Sequence, residues 1–262
     1  MSIDRREFLL AAGSVVVAGG FPLPASATPS RFKAVAFDAF PIFDPRPIAE
    51  LTESLFPEKG RAIVDAWRTR QFEYQWLRAL SGKYADFLQT TEESLRFAAK
   101  QLQVAMPPET QQKLMAAYAD LKVWPDAPRA IHTLRDAGLR LVFLSNMTRA
   151  MLERGLTSSN LDKTFDGILS TDAIRSYKPD PKAYRMAVDA LRLKREEILF
   201  VAFAGWDVAG AKWFGYPTFW VNRAGSPLEE LGAVPDGSGR DLNALVEFVL
   251  PGSTALSSPS RA

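Results

Sequence analysis

The chain has 262 residues, a small formal net charge of +2, and a hydrophobic fraction of 47%. This length suits one large domain or a core with an insertion, and 17 Phe help to fill a sizeable core. Basic and acidic residues are mixed along the chain, so no concentrated basic face for nucleic acid is indicated. The absence of cysteine excludes disulfides and thiolate chemistry, and the single His132 excludes a histidine-rich metal site.

The N-terminal segment has the features of an export signal. Arg5 and Arg6 precede an apolar stretch over residues 9–21, and residues 25–27 are small, as a signal peptidase requires. The apolar stretch is short and interrupted by glycine, which disfavours a membrane anchor. We therefore expect residues 1–27 to be a twin-arginine signal peptide that directs the folded protein to the periplasm. An uncleaved tail is the alternative.

Asp38 is the most informative residue of the mature chain. It follows an apolar, strand-like run over residues 32–37. Open parallel sheets place their chemistry at the carboxyl ends of strands, so this carboxylate is a candidate nucleophile. A metal-dependent phosphotransferase that uses such a strand-end aspartate needs a second carboxylate two positions later, where this chain has Phe40. No metal site and no cofactor are therefore expected.

The remainder of the chain has two kinds of sequence pattern. Residues 45–122 contain no strand-like run, and their apolar residues recur at helical spacing. Helices are predicted there over residues 63–80, from Thr91, and from Pro108. Further along, helical segments alternate with apolar strands at residues 139–144, 167–169, 198–203 and 218–221.

This alternation predicts an α/β fold with a doubly wound, Rossmann-like parallel sheet. Residues 28–44 and 123–250 are predicted to form the α/β core domain. Residues 45–122 are predicted to be an inserted helical cap domain over the carboxyl edge of the sheet. Residues 251–262 are rich in serine and proline and are predicted to be a disordered tail.

Polar side chains follow the predicted strands where each one ends. Ser145 and Asn146 close the second strand, Lys178 lies in a Lys-Pro-Asp-Pro stretch after the third, and Asp207 follows the fourth. Together with Asp38, these residues are expected to converge on one crevice at the sheet edge. This order of strand-end residues resembles the haloacid dehalogenase superfamily, and the resemblance covers nearly all of residues 32–250.

Longer stretches resemble the type II 2-haloacid dehalogenases within that superfamily. The Lys-Pro-Asp stretch is shared by many phosphatases, whereas Trp206-Asp207 together with residues 71–78 is specific. The stretches that carry the resemblance are residues 37–40, 66–68, 71–78, 178–181 with Tyr184, 205–211 and 221–225.

The resemblance implies a two-step displacement. Asp38 attacks the α-carbon of a 2-haloacid and expels halide, and water then hydrolyses the ester on Asp38. Lys178 is expected to keep Asp38 ionised, and Arg68 to accept the departing halide. Asp207 is expected to orient the hydrolytic water.

The resemblance also implies a set of substrate-binding residues. Ser145 binds the substrate carboxylate together with backbone N–H groups, and apolar side chains remove water from the nucleophile. The implied partner is a small 2-substituted carboxylate, with no nucleic acid and no membrane after processing, and a homodimer is left open. The implied set is Ser145, Asn146, Tyr184, Phe40, Phe72, Phe87 and Trp206.

The chain also departs from the family pattern. The family's Asp-x-Tyr-Gly-Thr-Leu-Phe-Asp is one residue shorter here, so its threonine has no counterpart, and Pro41 removes a backbone donor. The family's Ser-Ser-Asn and small residue before Trp206 are replaced by residues 202–205, Ala-Phe-Ala-Gly, and the glycine after Ser-Asn is Met147. Halide displacement is compatible with these changes, whereas ester hydrolysis is predicted to be slower.

Two other functions stay open from the sequence. One is a Mg²⁺-dependent phosphatase of the same superfamily, against which Phe40 argues. The other is a catalytically degenerate periplasmic binding protein for small organic acids, suggested by the lost polar groups. Among the remaining polar residues, His132 is predicted to be exposed on a helix, and Asp44 and Asp180 are predicted to be turn or cap residues.

Overall fold

The computed structural model describes residues 30–252. Within them, one six-stranded sheet has the strand order β3-β2-β1-β4-β5-β6, and every neighbouring pair is parallel. This is a doubly wound, Rossmann-like order, and the predicted fold class is confirmed. The strands are β1 (Ala34–Phe37), β2 (Arg140–Ser145), β3 (Gly167–Ser170), β4 (Ile198–Ala202), β5 (Thr218–Val221) and β6 (Gly237–Gly239).

Strand β1 pairs in parallel with β2 and with β4, and the three strands end at the same edge of the sheet. Every residue of β1 and of β4 is buried, as expected for strands covered on both faces. Phe37 at the end of β1 pairs with Phe143 of β2 on one side and with Val201 of β4 on the other. The residues that follow these strands therefore meet at one edge of the sheet.

Four helices follow β1 before the chain returns to the sheet: α1 (Arg46–Leu55), α2 (Gly60–Leu80), α3 (Phe87–Gln101) and α4 (Pro108–Ala119). We call residues 46–119 the helical insert. Its fully buried residues Ile63, Leu95 and Leu114 belong to the same hydrophobic cluster as one face of the sheet. An antiparallel bridge between Phe43 and Val123 brings its two ends together. That the helical insert works as a cap domain stays a prediction.

The later helices cover both faces of the sheet. Val35 and Phe37 of β1 belong to one hydrophobic cluster, and Ala34 and Ala36 belong to another. Helices α5, α6 and α9 contribute to the first cluster, and α7 and α8 to the second. Their bounds are α5 (Ala127–Asp136), α6 (Arg149–Ser158), α7 (Pro181–Leu191), α8 (Gly205–Phe214) and α9 (Leu242–Val249).

The structure tests several local predictions. Helix α3 begins at Phe87, so the start predicted at Thr91 is wrong: the Asp86 carboxylate accepts the Gln89 backbone N–H at 2.8 Å and caps the helix earlier. The cap prediction for Asp180 is confirmed, because its carboxylate accepts the Lys182 backbone N–H at 2.9 Å.

Asp44 is also a turn residue, as predicted. Its carboxylate accepts the Arg46 backbone N–H at 2.9 Å at the entry to α1. His132 is exposed on α5. Strand β6 was not predicted, because its sequence Gly-Ser-Gly carries no apolar pattern.

The predicted signal peptide and residues 253–262 of the predicted tail lie outside the described residues. Between residues 30 and 252, the structure contains no helix that is both long enough and apolar enough to cross a membrane.

Candidate active site

A cavity of about 580 Å³ lies between the helical insert and the carboxyl edge of the sheet. The ends of β1 and β2 supply its polar floor, and α2 supplies much of the opposite wall. The structure brings most of the sequence-predicted site residues together here. Those that line the cavity are Asp38, Phe40, Arg68, Phe72, Phe87, Ser145, Asn146 and Trp206.

Asp38 is held firmly at the end of β1. Its backbone N–H donates to the Val201 carbonyl at 3.0 Å, and the residue is only 8% exposed. One carboxylate oxygen accepts the Lys178 ammonium at 2.9 Å, and the other accepts the Phe40 backbone N–H at 3.2 Å. The carboxylate therefore has one fixed orientation at the cavity floor.

Lys178 joins two carboxylates beneath the cavity. The side chain is fully buried, and its ammonium donates to Asp38 at 2.9 Å and to Asp207 at 2.5 Å. Burial opposes the charge on Lys178, but the two carboxylates outweigh it and raise its pKa above the ordinary value. The expected contact between Lys178 and Asp38 is therefore present, with Asp207 as a second partner.

Asp207 lies in the first turn of α8, behind Lys178 and outside the cavity lining. Its second oxygen accepts the Tyr184 hydroxyl at 2.7 Å. Burial raises the pKa of Asp207 to about 6, against the opposing effect of the Lys178 charge. A carboxylate with this pKa can exchange a proton near neutral pH.

The structure corrects the expectation that Tyr184 contacts the substrate. The side chain is fully buried, does not line the cavity, and uses its hydroxyl on Asp207. Gly210 of α8 makes room for this contact, because an added Cβ there would lie 2.3 Å from the Tyr184 hydroxyl oxygen. Tyr184 is therefore a positioning residue for Asp207.

Ser145 and Asn146 play different parts at the end of β2. The Ser145 hydroxyl oxygen accepts the Met147 backbone N–H at 3.2 Å, which leaves its hydrogen available to donate to a ligand. The Asn146 carbonyl oxygen accepts the Lys178 backbone N–H at 2.9 Å and the Thr171 hydroxyl at 3.3 Å. Asn146 thus helps to hold the Lys178 segment in place.

Arg68 lies on α2 and faces the cavity with an exposed side chain. None of the ion pairs formed within residues 30–252 includes Arg68. Its guanidinium therefore remains available to an anion that enters the cavity. That Arg68 accepts the halide stays a prediction.

Aromatic rings surround the polar floor. The ring of Phe40 lies 5.8 Å from that of Phe203, and Trp206 lies 5.4 Å from Phe72 and 5.6 Å from Trp76. These rings limit the water available to Asp38.

Sequence reasoning missed several residues of the cavity lining. Gln71 and Gln75 follow Arg68 on α2 at helical spacing, which is the signal that could have placed them on the same face. The remaining missed residues of interest are Trp67, Tyr118, Trp124 and Arg223. Within residues 30–252, no group of three or more His, Asp or Glu side chains is arranged to hold a metal ion.

Known proteins are similar to this chain in sequence and in fold. A family model for haloacid dehalogenase-like hydrolases matches residues 25–215. The (S)-2-haloacid dehalogenase of Pseudomonas sp. (strain YL) is 38% identical over 217 residues, which cover 82% of this chain and 94% of that protein.

Solved structures agree with the sequence comparisons. The L-2-haloacid dehalogenase RSc1362 is 39% identical with a TM-score of 0.81, over 83% of this chain and 98% of that one. The Xanthobacter autotrophicus L-2-haloacid dehalogenase with chloropropionic acid covalently bound is 33% identical with a TM-score of 0.75, over the same shares. The chain belongs to the haloacid dehalogenase-like hydrolase family.

Proposed function

We propose that this protein hydrolyses the carbon–halogen bond of small 2-haloalkanoic acids through an ester on Asp38. One observation carries the proposal: the Asp38 carboxylate meets a buried Lys178 ammonium at the floor of an aromatic cavity. The names of the similar proteins, which are 2-haloacid dehalogenases, support the same substrate class.

The first step uses Asp38 as the nucleophile. A carboxylate oxygen forms a bond to C2 of the substrate, and the carbon–halogen bond breaks with its electron pair on the halide. Lys178 keeps the carboxylate ionised, and the unpaired Arg68 guanidinium receives the halide. Ser145 donates its hydroxyl hydrogen to the substrate carboxylate.

The second step returns Asp38 to its free form. Water attacks the carbonyl carbon of the Asp38 ester, and the bond from the carboxylate oxygen to the product breaks. A 2-hydroxy acid leaves, with its configuration set by the first displacement. Water supplies the hydroxyl hydrogen of the product, and one proton is released as Asp38 returns to a carboxylate. Asp207, whose pKa is about 6, lies outside the cavity lining and bonds to Lys178 and Tyr184, so its ionised form positions the Lys178 ammonium against Asp38 during this step.

Phe40 disfavours a phosphatase. The position carries an aromatic ring that contacts Phe203, so no carboxylate stands there to act as an acid or to bind Mg²⁺. The remaining alternative, a binding protein for small organic acids, keeps the cavity without the chemistry. Halide release separates it from the proposed function.

The proposal includes a cellular location and a use for the helical insert. The twin arginine and the small residues before Thr28 support export of the folded enzyme to the periplasm. The insert supplies Arg68 and Phe72 to the cavity, which supports its role as a cap domain over the sheet edge.

The direct test is to incubate residues 28–262 with 2-chloropropionate and to measure free chloride together with the intact protein mass. Repeated chloride release by the wild type, with none by Asp38→Asn, supports the proposal. A single stoichiometric burst with a lasting mass adduct would mean that only the first step operates. Propionate binding without chloride release would identify a binding protein instead.

A further inference from the structure

Gln75 is a buried side chain with an unused hydrogen-bond donor. It lies on α2, is fully buried, and belongs to the cavity lining together with Ser145 and Asn146. Within residues 30–252, its amide nitrogen Nε2 has no hydrogen-bond partner. Leaving a buried donor unpaired destabilises the folded protein, so such a group in a site calls for an explanation.

The orientation of this amide is fixed by its neighbours. The Lys178 backbone N–H can only donate, and it points at the Asn146 side-chain oxygen at 2.9 Å. The Asn146 amide nitrogen must therefore face Gln75, whose Oε1 accepts it at 3.3 Å. A flipped Gln75 would place two donors against each other, so Nε2 is the atom left without a partner.

The position of Gln75 selects the end of the ligand that it meets. Gln75 contacts Asn146, the neighbour of Ser145 at the tip of β2. Arg68 is seven residues earlier on the same face of α2, which places it about 10 Å away along the helix axis. Gln75 therefore serves the Ser145 end of the cavity, whereas Arg68 serves the halide.

We propose that the Gln75 amide donates to the substrate carboxylate, beside the Ser145 hydroxyl, and thereby sets the specificity for a carboxylate. The inference rests on the proposed function for its substrate.

The test uses Gln75→Met, which keeps the side-chain length and removes both polar groups. We expect the affinity for propionate, a non-reactive carboxylate, to fall roughly tenfold or more. With 2-chloropropionate as substrate, KM should rise more than kcat falls. Gln75→Glu keeps an acceptor for Asn146 but removes the donor, and it should lose propionate affinity at least as strongly at pH 8.

Gln71→Met is the matched control. Gln71 is also a buried glutamine on α2 in the cavity lining, but its amide already donates to Thr91 and accepts the Tyr118 hydroxyl at 3.1 Å. This change should lower the melting temperature, because the Tyr118 hydroxyl loses its acceptor and the Thr91 hydroxyl keeps only its bond to the Phe87 carbonyl. Its effect on propionate affinity should be smaller than that of Gln75→Met.

The outcomes separate this inference from the proposed function. Wild-type chloride release with unchanged propionate affinity in both Gln75 variants overturns the inference and leaves the function standing. Weakened propionate affinity in both Gln75 variants, together with no chloride release by the wild type, would support the inference and overturn the proposed function. A wild type that binds no propionate also overturns the inference.

Discussion

At the scale of single residues, Lys178 controls the charge of the site. Its ammonium is fully buried and is shared by Asp38 and Asp207, so the three groups carry a net charge of −1 when all are ionised. A buried charge that loses its partner is costly, which ties the state of each group to the other two. The nucleophile therefore depends on a residue that does not line the cavity.

Removing the two cations should separate their roles. Lys178→Met should reduce kcat at least a hundredfold and also destabilise the fold by about 3–5 kcal/mol, because two carboxylates lose their partner. Arg68→Ala should reduce kcat with little effect on stability, since Arg68 is exposed.

Steady-state chloride release and thermal unfolding measure both effects. Arg154→Ala, an exposed change on α6 outside the cavity lining, is the control and should alter neither. Normal turnover in Arg68→Ala would remove Arg68 from the mechanism.

Protonation of Asp207 should lower the turnover rate at acidic pH. Its pKa is raised to about 6, so the group is protonated below that pH and ionised above it. If the ionised form serves ester hydrolysis, turnover should fall about tenfold per pH unit below 6 and level off above it. A pH profile of wild type and Asp207→Asn measures this. A wild-type profile that stays flat from pH 5 to 7 contradicts the assignment.

At the scale of elements, the packing of α7 against α8 holds the second carboxylate. Tyr184 on α7 donates to Asp207 on α8, and Gly210 provides the space between them. This contact explains why α8 has a glycine at position 210, although most other residues have a higher helix propensity than glycine.

Gly210→Ala tests this element-level contact. The added methyl group should displace the Tyr184 hydroxyl from Asp207, lowering both the melting temperature and the rate of ester hydrolysis. Gly167→Ala is the matched control, because its added Cβ would meet only a Val142 methyl group at 3.5 Å. Equal activity and stability in the two variants would show that the Tyr184 contact has no consequence.

Some of these strands and site residues could be predicted from the sequence. The apolar runs of β1, β2 and β4 carry their own signal, and the polar residues at their ends converge as expected. Strand β6 has no such apolar signal, and it is identified by its parallel pairing with β5. The position of Tyr184 depends on how two helices pack, which spacing along the chain does not reveal.

The unused amide of Gln75 was equally hidden in the sequence. Its orientation follows from the Lys178 backbone N–H, which acts through Asn146. Lys178 is about a hundred residues further along the chain, and no local pattern carries that relation.

At the scale of the whole molecule, the mature chain is expected to begin at Thr28. The small residues 25–27 and the preceding twin arginine motivate cleavage after Ala27. Mass spectrometry of the periplasmic fraction should give the mass of residues 28–262, and Arg5→Lys together with Arg6→Lys should keep the precursor inside the cell. A periplasmic protein that retains residues 1–27 contradicts this expectation.

Isotope labelling tests whether the ester forms on Asp38. A single turnover of 2-chloropropionate with excess enzyme in ¹⁸O-labelled water should place the label in the Asp38 carboxylate, because water attacks the ester carbonyl. Peptide mass spectrometry locates the label. We expect ¹⁸O on the peptide that contains Asp38, together with unlabelled 2-hydroxypropionate. Label found only in the product would mean that water displaces the halide directly.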